Sequence, residues 1–197
     1  MMDEERLRRQ MAFVVEIGRV KHVLRRTFTV HGDRNENDAE HSWHLAAMAV
    51  VLHEYAGPVV DILRVLKMVV IHDLVEIDAG DTYCYSDYDP AAKLAAERTA
   101  ADRIFGMLPA EQAREMSDLW DEFERGRTNE AKFAVALDRL QPLLLNYHSG
   151  GKAWLKHGVG KDQVLKRAAP IAEASGDLWE YARDLIETAV SEGILVE

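Results

Sequence analysis

Apolar residues recur at steps of three and four along most of the chain, which is the period of an amphipathic α-helix. The first run predicts a helix over residues 3–25. The segment RRTFTVHGDRNEN then interrupts the pattern with charges, asparagines and Gly32, and it predicts a loop. No segment alternates convincingly between apolar and polar residues, the period of two that is typical of a half-buried strand.

Residues typical of helix ends divide the rest of the chain into further helices. Asn37 and Glu40 are spaced as a capping box, with asparagine in place of serine or threonine. The helix that they open is predicted to run to about Tyr55 and to stop at Gly57-Pro58. The remaining helices are predicted at 59–77 (ended by Gly80), 91–108, 109–125, 129–147, 161–174 (disturbed by Pro170) and 177–190.

These patterns predict an all-α fold in which residues 1–197 form a single compact multi-helix bundle. The region that carries the motifs spans about residues 10–150, and the C-terminal helices at 160–192 are expected to pack on it. The segment AGDTYCYSDYDP is predicted to be a loop, long enough to act as a lid. The segment HSGGKAWLKHGVG is predicted to be a glycine-rich loop.

The composition narrows the classes of function. A net charge of -10 argues against a nucleic-acid polymer or an anionic membrane surface as partner, because both select for excess lysine and arginine. This net charge does not exclude a small phosphate ester as substrate, because a pocket can be locally positive in a protein that is negative as a whole. No apolar run reaches the roughly 18 residues of a membrane span, and MMDEERLRRQ lacks the apolar stretch of a signal peptide. Cys84 is the lone cysteine, so we expect a cytoplasmic protein.

Charged and ligating side chains stand among the apolar residues of two predicted helices. In IHDLVEIDAGD, His72, Asp73 and Glu76 are spaced so that Glu76 shares a helix face with both of the others. A buried acid without a partner costs several kcal/mol, so something must neutralise this group. A divalent cation would do so, and His41, early in its own helix, can supply a second imidazole from a facing element.

A fourth ligand is expected downstream, and Asp138 stands in the apolar segment AKFAVALDRLQPLLLNY. Pro142 removes the helical partner of the Asp138 carbonyl, so we expect a kink at this point. Two imidazoles and two carboxylates suit manganese, cobalt, iron, nickel or zinc, with magnesium as an alternative. The sequence thus predicts one divalent metal ion bound by helices of the bundle.

The ordered set His41, His72-Asp73 and Asp138 resembles the H…HD…D signature of the HD-domain metal-dependent phosphohydrolases. The segments NENDAEHSWH, HDLVEIDAGD and EAKFAVALDRLQ resemble the branch that contains the 5'-deoxynucleotidases. The resemblance covers roughly residues 10–150. It implies an all-helical fold, a homodimer and one divalent ion per subunit.

Carried onto this chain, the resemblance implies specific roles for residues. The metal ligands would be His41, His72, Asp73 and Asp138, the catalytic acids Glu76 and Asp81, and the phosphate-binding arginine Arg26, with Arg25 as a competitor. The bacterial deoxynucleotidases that this chain resembles have tryptophan directly after the arginine, whereas Thr27 and Phe28 follow here. This departure leaves the preferred base and sugar open.

The leading hypothesis is hydrolysis of a 2'-deoxyribonucleoside 5'-monophosphate to deoxynucleoside and phosphate. Glu76 would orient and deprotonate a water molecule, and Asp81 would help to protonate the departing sugar oxygen. The alternatives are hydrolysis of another phosphate ester (a nucleoside triphosphate, a cyclic nucleotide or a sugar phosphate) and a catalytically silent module that binds metal or nucleotide. Beside His41, His44 is predicted to have a supporting or packing role, and Trp43 is assigned to the core.

Overall fold

Helices make up most of the chain in this computed structural model, which describes residues 4–57 and 59–197. The predicted all-α class is confirmed, with one small two-stranded sheet, β1 (Leu24–Phe28) and β2 (Asn35–Asn37), added to it. The α-helices are α1 (Glu4–Glu16), α2 (Asp38–Val51), α3 (Ile62–Ile71), α4 (Glu76–Ala79), α5 (Pro90–Phe105), α6 (Ala110–Arg125), α7 (Asn129–His148), α8 (Lys152–His157), α9 (Lys161–Ala168), α10 (Ile171–Ala174) and α11 (Gly176–Ser191). Shorter 3-10 helices span Ile17–His22, His53–Tyr55 and His72–Val75.

The N-terminal region differs from its prediction in two ways. The helix predicted over 3–25 ends as an α-helix at Glu16, and the following six residues form a 3-10 helix. The predicted loop contains β1 and β2, which pair antiparallel. The hairpin escaped detection because its most buried positions, Thr27 and Glu36, are polar, so the strands lack an apolar alternation.

The start of α2 follows the sequence signal. The side chain of Asn37 accepts a hydrogen bond from the backbone nitrogen of Glu40, 3.0 Å away, and the Glu40 carboxylate accepts one from the backbone nitrogen of Asn37. This capping box is confirmed, and it places His41 in the first turns of the helix. The α-helix ends at Val51, earlier than predicted. Pro58 of the predicted stop and residue 3 of the first predicted helix lie outside the described residues.

The helix predicted over 59–77 is broken in the structure. Helix α3 begins after Asp61, whose side chain caps it, and ends at Ile71. The next four residues form a 3-10 helix, α4 follows, and Gly80 ends the segment with a φ of 75°. A 3-10 helix has three residues per turn, so Asp73 and Glu76 stand in line one turn apart. All five residues from His72 to Glu76 are buried, which an amphipathic α-helix does not allow.

Helix α7 is the central element of the core. It packs against α2, α3, α6 and α10, and it runs to His148 as one helix with Pro142 inside it. Leu45 of α2, Met68 of α3 and Leu137 of α7 are fully buried. The prediction for Trp43 is wrong: its side chain is 71% exposed, because two helical positions after His41 it points to the opposite side of α2.

The C-terminal helices pack on this core. The predicted glycine-rich loop contains α8, and Pro170 separates α9 from α10 in the segment that was expected to be disturbed. Helix α11 contacts α9 and α10, and all three helices contact α7. The organisation of residues 1–197 as one domain stays a prediction. No helix in the described part of the chain is both long and apolar enough to cross a membrane.

Candidate metal and active site

Three elements bring the four predicted metal ligands together. His41 comes from α2, His72 and Asp73 from the 3-10 helix, and Asp138 from α7. The Oδ1 atom of Asp138 lies 2.9 Å from His41 Nε2 and 3.7 Å from His72 Nε2. Asp73 Oδ1 lies 3.1 Å from His72 Nε2, and all four residues are buried. His41, His72 and Asp73 each place a ligand atom within 4.8 Å of the others, and Asp138 joins this cluster through its contacts with the two histidines.

A backbone carbonyl sets the orientation of His72. Its Nδ1 atom lies 3.0 Å from the Val69 carbonyl oxygen, which can only accept, so Nδ1 carries the proton. In the neutral imidazole, the Nε2 lone pair then points at the ligand cluster. Despite its short distance to Asp73, this buried atom has no properly oriented hydrogen-bond partner among residues 4–57 and 59–197. An unpaired imidazole nitrogen facing carboxylates fits a metal ligand.

A chain of polar contacts sets the orientation of His41. Its Nδ1 atom lies 3.0 Å from Gln141 Oε1. The amide nitrogen of Gln141 donates to Glu36 Oε1 at 2.7 Å and lies 3.1 Å from His44 Nδ1. Because Glu36 needs the amide N–H, Gln141 must turn its oxygen towards His41. His41 therefore donates from Nδ1 and directs Nε2 at Asp138, and His44 has the predicted supporting position. The donor set fits a divalent ion.

Acidic side chains and one arginine surround the ligands. Arg25 Nη1 lies 2.7 Å from Asp73 Oδ2 and 3.2 Å from Asp38 Oδ1. Asp38, Asp73 and Glu76 each place a carboxylate oxygen within 4.8 Å of the others. Asp38 is completely buried, yet in the sequence it resembles an ordinary acidic residue of a helical first turn. Arg26, which the sequence favours for phosphate binding, is exposed, and both arginines line the neighbouring cavity.

Three carboxyl groups beside the ligands have raised pKa values, whereas the pKa values of the proposed ligands Asp73 and Asp138 are lowered by the charges of the neighbouring histidines and arginines. Burial, followed by the charges of Asp73 and Asp38, raises the pKa of Glu76 well above its usual value. Burial and the charge of Asp73 raise the pKa of Asp38 to about 7. Burial also raises the pKa of Asp81. Groups with such shifted pKa values beside a ligand cluster are candidates for proton transfer.

A cavity of about 360 Å³ opens beside the ligands. His72, Asp73 and Asp138 border it, and so do the predicted acids Glu76 and Asp81, whereas His41 lies behind the cavity wall. The predicted lid loop forms part of the wall, through Thr82, the aromatic side chains of Tyr83 and Tyr85, and the thiol of Cys84. The volume suits a small molecule.

Arg139 is a further site residue that the sequence did not indicate. Its guanidinium contacts the second carboxylate oxygen of Asp138, and it lines the cavity. Gln141, Asp38 and Arg139 share one reason for being missed: each acts through contacts with residues brought together by the fold. The local signal that these three residues give is weak: each is a polar residue within one or two helical turns of a predicted ligand.

Comparisons with known proteins agree with this arrangement. A family model described as HD domain matches residues 17–179. The chain is 29% identical over 136 residues to the "5'-deoxynucleotidase HDDC2" of Dictyostelium discoideum, covering 66% of this chain and 72% of that protein. It is 28% identical over 138 residues to the human protein of that name, covering 68% of this chain and 65% of the human protein.

Solved structures give the same result for the fold. The crystal structure of a predicted metal-dependent phosphohydrolase from Magnetospirillum magnetotacticum is 50% identical, with a TM-score of 0.95, and covers 100% of this chain and 99% of that one. An HD-domain phosphohydrolase from Listeria innocua has a TM-score of 0.59 at 15% identity over 92% of this chain and 85% of that one, which indicates a shared fold. The family match spans most of the sequence and includes all four clustered ligands, and the chain therefore belongs to the HD domain family.

Proposed function

We propose that this protein is a metal-dependent phosphomonoesterase that hydrolyses 2'-deoxyribonucleoside 5'-monophosphates to deoxynucleoside and phosphate. The observation that carries the proposal is the convergence of two imidazoles and two carboxylates beside a cavity of small-molecule size. The relatives named 5'-deoxynucleotidase support the choice of substrate. The aligned region spans about two thirds of those relatives, so their activity enters here as part of the proposal.

His41, His72, Asp73 and Asp138 would hold one divalent ion, with manganese, cobalt, iron, nickel or zinc as the best candidates and magnesium as an alternative. When bound, such an ion polarises a phosphoryl oxygen and lowers the pKa of a coordinated water molecule towards ~7. The two histidines are already oriented for this role by the Val69 carbonyl and Gln141.

Glu76 and Asp81 would move the protons. Glu76 borders the cavity, and its Oε2 atom is buried without a hydrogen-bond partner in the described part of the chain, so it is available to orient the attacking water. The positive charge of a bound divalent ion would favour the ionised form of Glu76, whose raised pKa then makes it a strong base for that water. Asp81 lies further out, on the loop after Gly80. Burial raises its pKa, which suits an acid that protonates the leaving sugar oxygen.

An arginine would balance the charge of the phosphoryl group. The sequence favours Arg26, but the geometry favours Arg25, because its guanidinium contacts the ligand Asp73 while its Nε atom has no hydrogen-bond partner among the described residues. Arg26 remains at the cavity wall and can assist from there.

The proposal includes a cytoplasmic homodimer with no membrane or nucleic-acid partner. Exposed apolar side chains on α1 and α2, namely Met11, Val14, Val15, Trp43, Val50 and Val51, would supply apolar area for a subunit contact. Analytical ultracentrifugation tests this part separately, and a monomer at micromolar concentration would contradict it.

A substrate panel tests the function. Phosphate release is measured for deoxy- and ribonucleoside monophosphates, nucleoside triphosphates, cyclic nucleotides and sugar phosphates, each with several divalent ions. Preference for the deoxynucleoside monophosphates is expected, and equal turnover of deoxy and ribo forms would contradict the substrate assignment. No turnover of any ester would favour the silent binding module. The presence of both Glu76 and Asp81 at the cavity argues for turnover, since binding alone does not need them.

A further inference from the structure

Each of the two proposed carboxylate ligands contacts both a ligand histidine and an arginine. Asp73 directs Oδ1 at His72 Nε2, 3.1 Å away, and Oδ2 at Arg25 Nη1, 2.7 Å away. Asp138 directs Oδ1 at His41 Nε2 and Oδ2 at Arg139 Nη1. Two guanidinium groups, one from β1 and one from α7, therefore flank the ligand cluster.

The contact between Asp138 and Arg139 is unusual for neighbours in a helix. Adjacent helical residues point about 100° apart and do not normally face each other. Here both side chains bend towards the same cavity, and both line it. The side chain of Arg139 is 18% exposed, so most of this cation is removed from bulk water.

Arg139 has N–H groups that are available for further hydrogen bonds. A guanidinium carries five N–H groups, and the hydrogen bonds that Arg139 makes within residues 4–57 and 59–197 use Nη1. Its present counter-charge is Asp138, which is also the predicted metal ligand. When Asp138 shares its charge with a divalent ion, Arg139 loses much of that compensation. A largely buried cation beside a bound metal ion then needs an anion.

The charged residues near Arg139 also favour an anion beside it. Arg167 of α9 borders the same cavity and acts on Arg139 as a like charge. Glu124, a carboxylate whose charge also reaches Arg139, is an exposed residue at the cavity edge.

We infer that Arg139 is a second phosphoryl-binding residue, which contacts the oxygens of the transferred phosphate from the α7 side while Arg25 contacts them from the β1 side. Planar guanidinium groups suit phosphate oxygens because they can donate two parallel hydrogen bonds. Two such groups on opposite sides would stabilise the charge that spreads over the phosphoryl oxygens during the reaction. The inference rests on the proposed phosphatase site but does not depend on the identity of the leaving group.

Inorganic phosphate is the probe that tests this role, because it is the product of any phosphomonoesterase. Binding of phosphate to the metal-loaded protein is measured by calorimetry for the wild type, Arg139→Gln, Arg139→Lys and the control Arg125→Gln. Arg125 lies on the exposed face of α6 and pairs with Asp121, away from the cavity. Ion content is measured in the same samples, so that phosphate affinity is compared per bound ion.

We expect Arg139→Gln to weaken phosphate binding by about 10- to 100-fold and Arg139→Lys by about 5-fold or more, the losses typical of charged hydrogen bonds. The lysine variant keeps a cation beside Asp138, so it reports on phosphate even where the glutamine variant loses its ion. The inference is contradicted if both Arg139 variants bind phosphate as tightly as Arg125→Gln does, or if Arg139→Lys binds it as tightly as the wild type. Arg139 would then serve only as a counter-ion of Asp138. Wild-type protein that binds phosphate through Arg139 but cleaves no deoxynucleotide would remove the proposed substrate and leave this inference intact.

Discussion

His41 and Gln141 are joined by a contact of 3.0 Å between Nδ1 and Oε1, across 100 residues of sequence. Gln141 is completely buried and is oriented by its own donation to Glu36. Gln141 therefore orients His41, a proposed metal ligand, although it does not itself border the cavity.

The change Gln141→Leu removes this acceptor while keeping a side chain of similar size. We expect the affinity for the divalent ion to fall by about 10- to 100-fold, because the imidazole loses the contact that fixes its tautomer and direction. Competition with a chromophoric chelator measures the affinity. Gln112→Leu is the control, since Gln112 contacts Gln10 near the N-terminus of α6. Equal ion affinities in the two variants, with intact helical circular dichroism, would show that Gln141 does not orient His41.

Glu76→Gln tests the role of Glu76 as general base. The change preserves shape but removes the basic oxygen, and we expect kcat to fall by about 10²- to 10⁴-fold with ion content unchanged. The matched control is Glu97→Gln, a buried glutamate of the same cavity wall that pairs with Lys93. If the two variants retain equal kcat, the water must be activated by another group.

The two adjacent arginines can be separated by conservative changes. Arg25→Lys should lower kcat/KM by about 10- to 100-fold, the cost of a lost charged hydrogen bond of ~1.5–3 kcal/mol. Arg26→Lys should lower it by less than about 5-fold, because an exposed side chain at the cavity wall can reposition its charge. A larger loss for Arg26→Lys would restore Arg26 as the main phosphate ligand, as the sequence suggests.

Removal of the ion should destabilise the fold. An ion that binds the native state alone, at about 100 times its Kd, stabilises that state by ~2.7 kcal/mol. For a chain of this size the corresponding shift in Tm is about 5–11 °C. Differential scanning calorimetry with and without a chelator measures the shift. Asp138→Asn, which lacks one charged ligand, should show a much smaller shift. A chelator effect of the same size in that variant would indicate that the ion binds elsewhere.

The parts of the site that sequence could predict are those with a local signal. Asn37 and Glu40 identify the start of α2 because a capping box is contained within four residues. Asp138 stands out because it is the single acid in the apolar segment AKFAVALDRLQPLLLNY. The four ligands were proposed from such signals and from the family resemblance, and the structure brings them within about one hydrogen-bond length of their neighbours.

The parts that sequence missed depend on tertiary contacts. In the sequence, Asp38 looks like an ordinary acidic residue of a helical first turn, and its role at the site follows from its contact with Arg25 of β1. The hairpin has polar inward positions because it borders the site and not the apolar core, so the usual alternation is absent. The 3-10 helix at His72–Val75 could not be read from a helical period, because tight packing of all four side chains sets its geometry.

The position of His41 behind the cavity wall has a kinetic consequence. Three of the proposed ligands border the cavity, whereas His41 is fully enclosed, so an ion held by these residues would enter and leave through the cavity. A phosphate ester bound in the cavity would block this path. Exchange of the bound ion with free isotope should therefore slow when the protein is saturated with an ester that it turns over slowly. The metal ion would then have to bind before the substrate does.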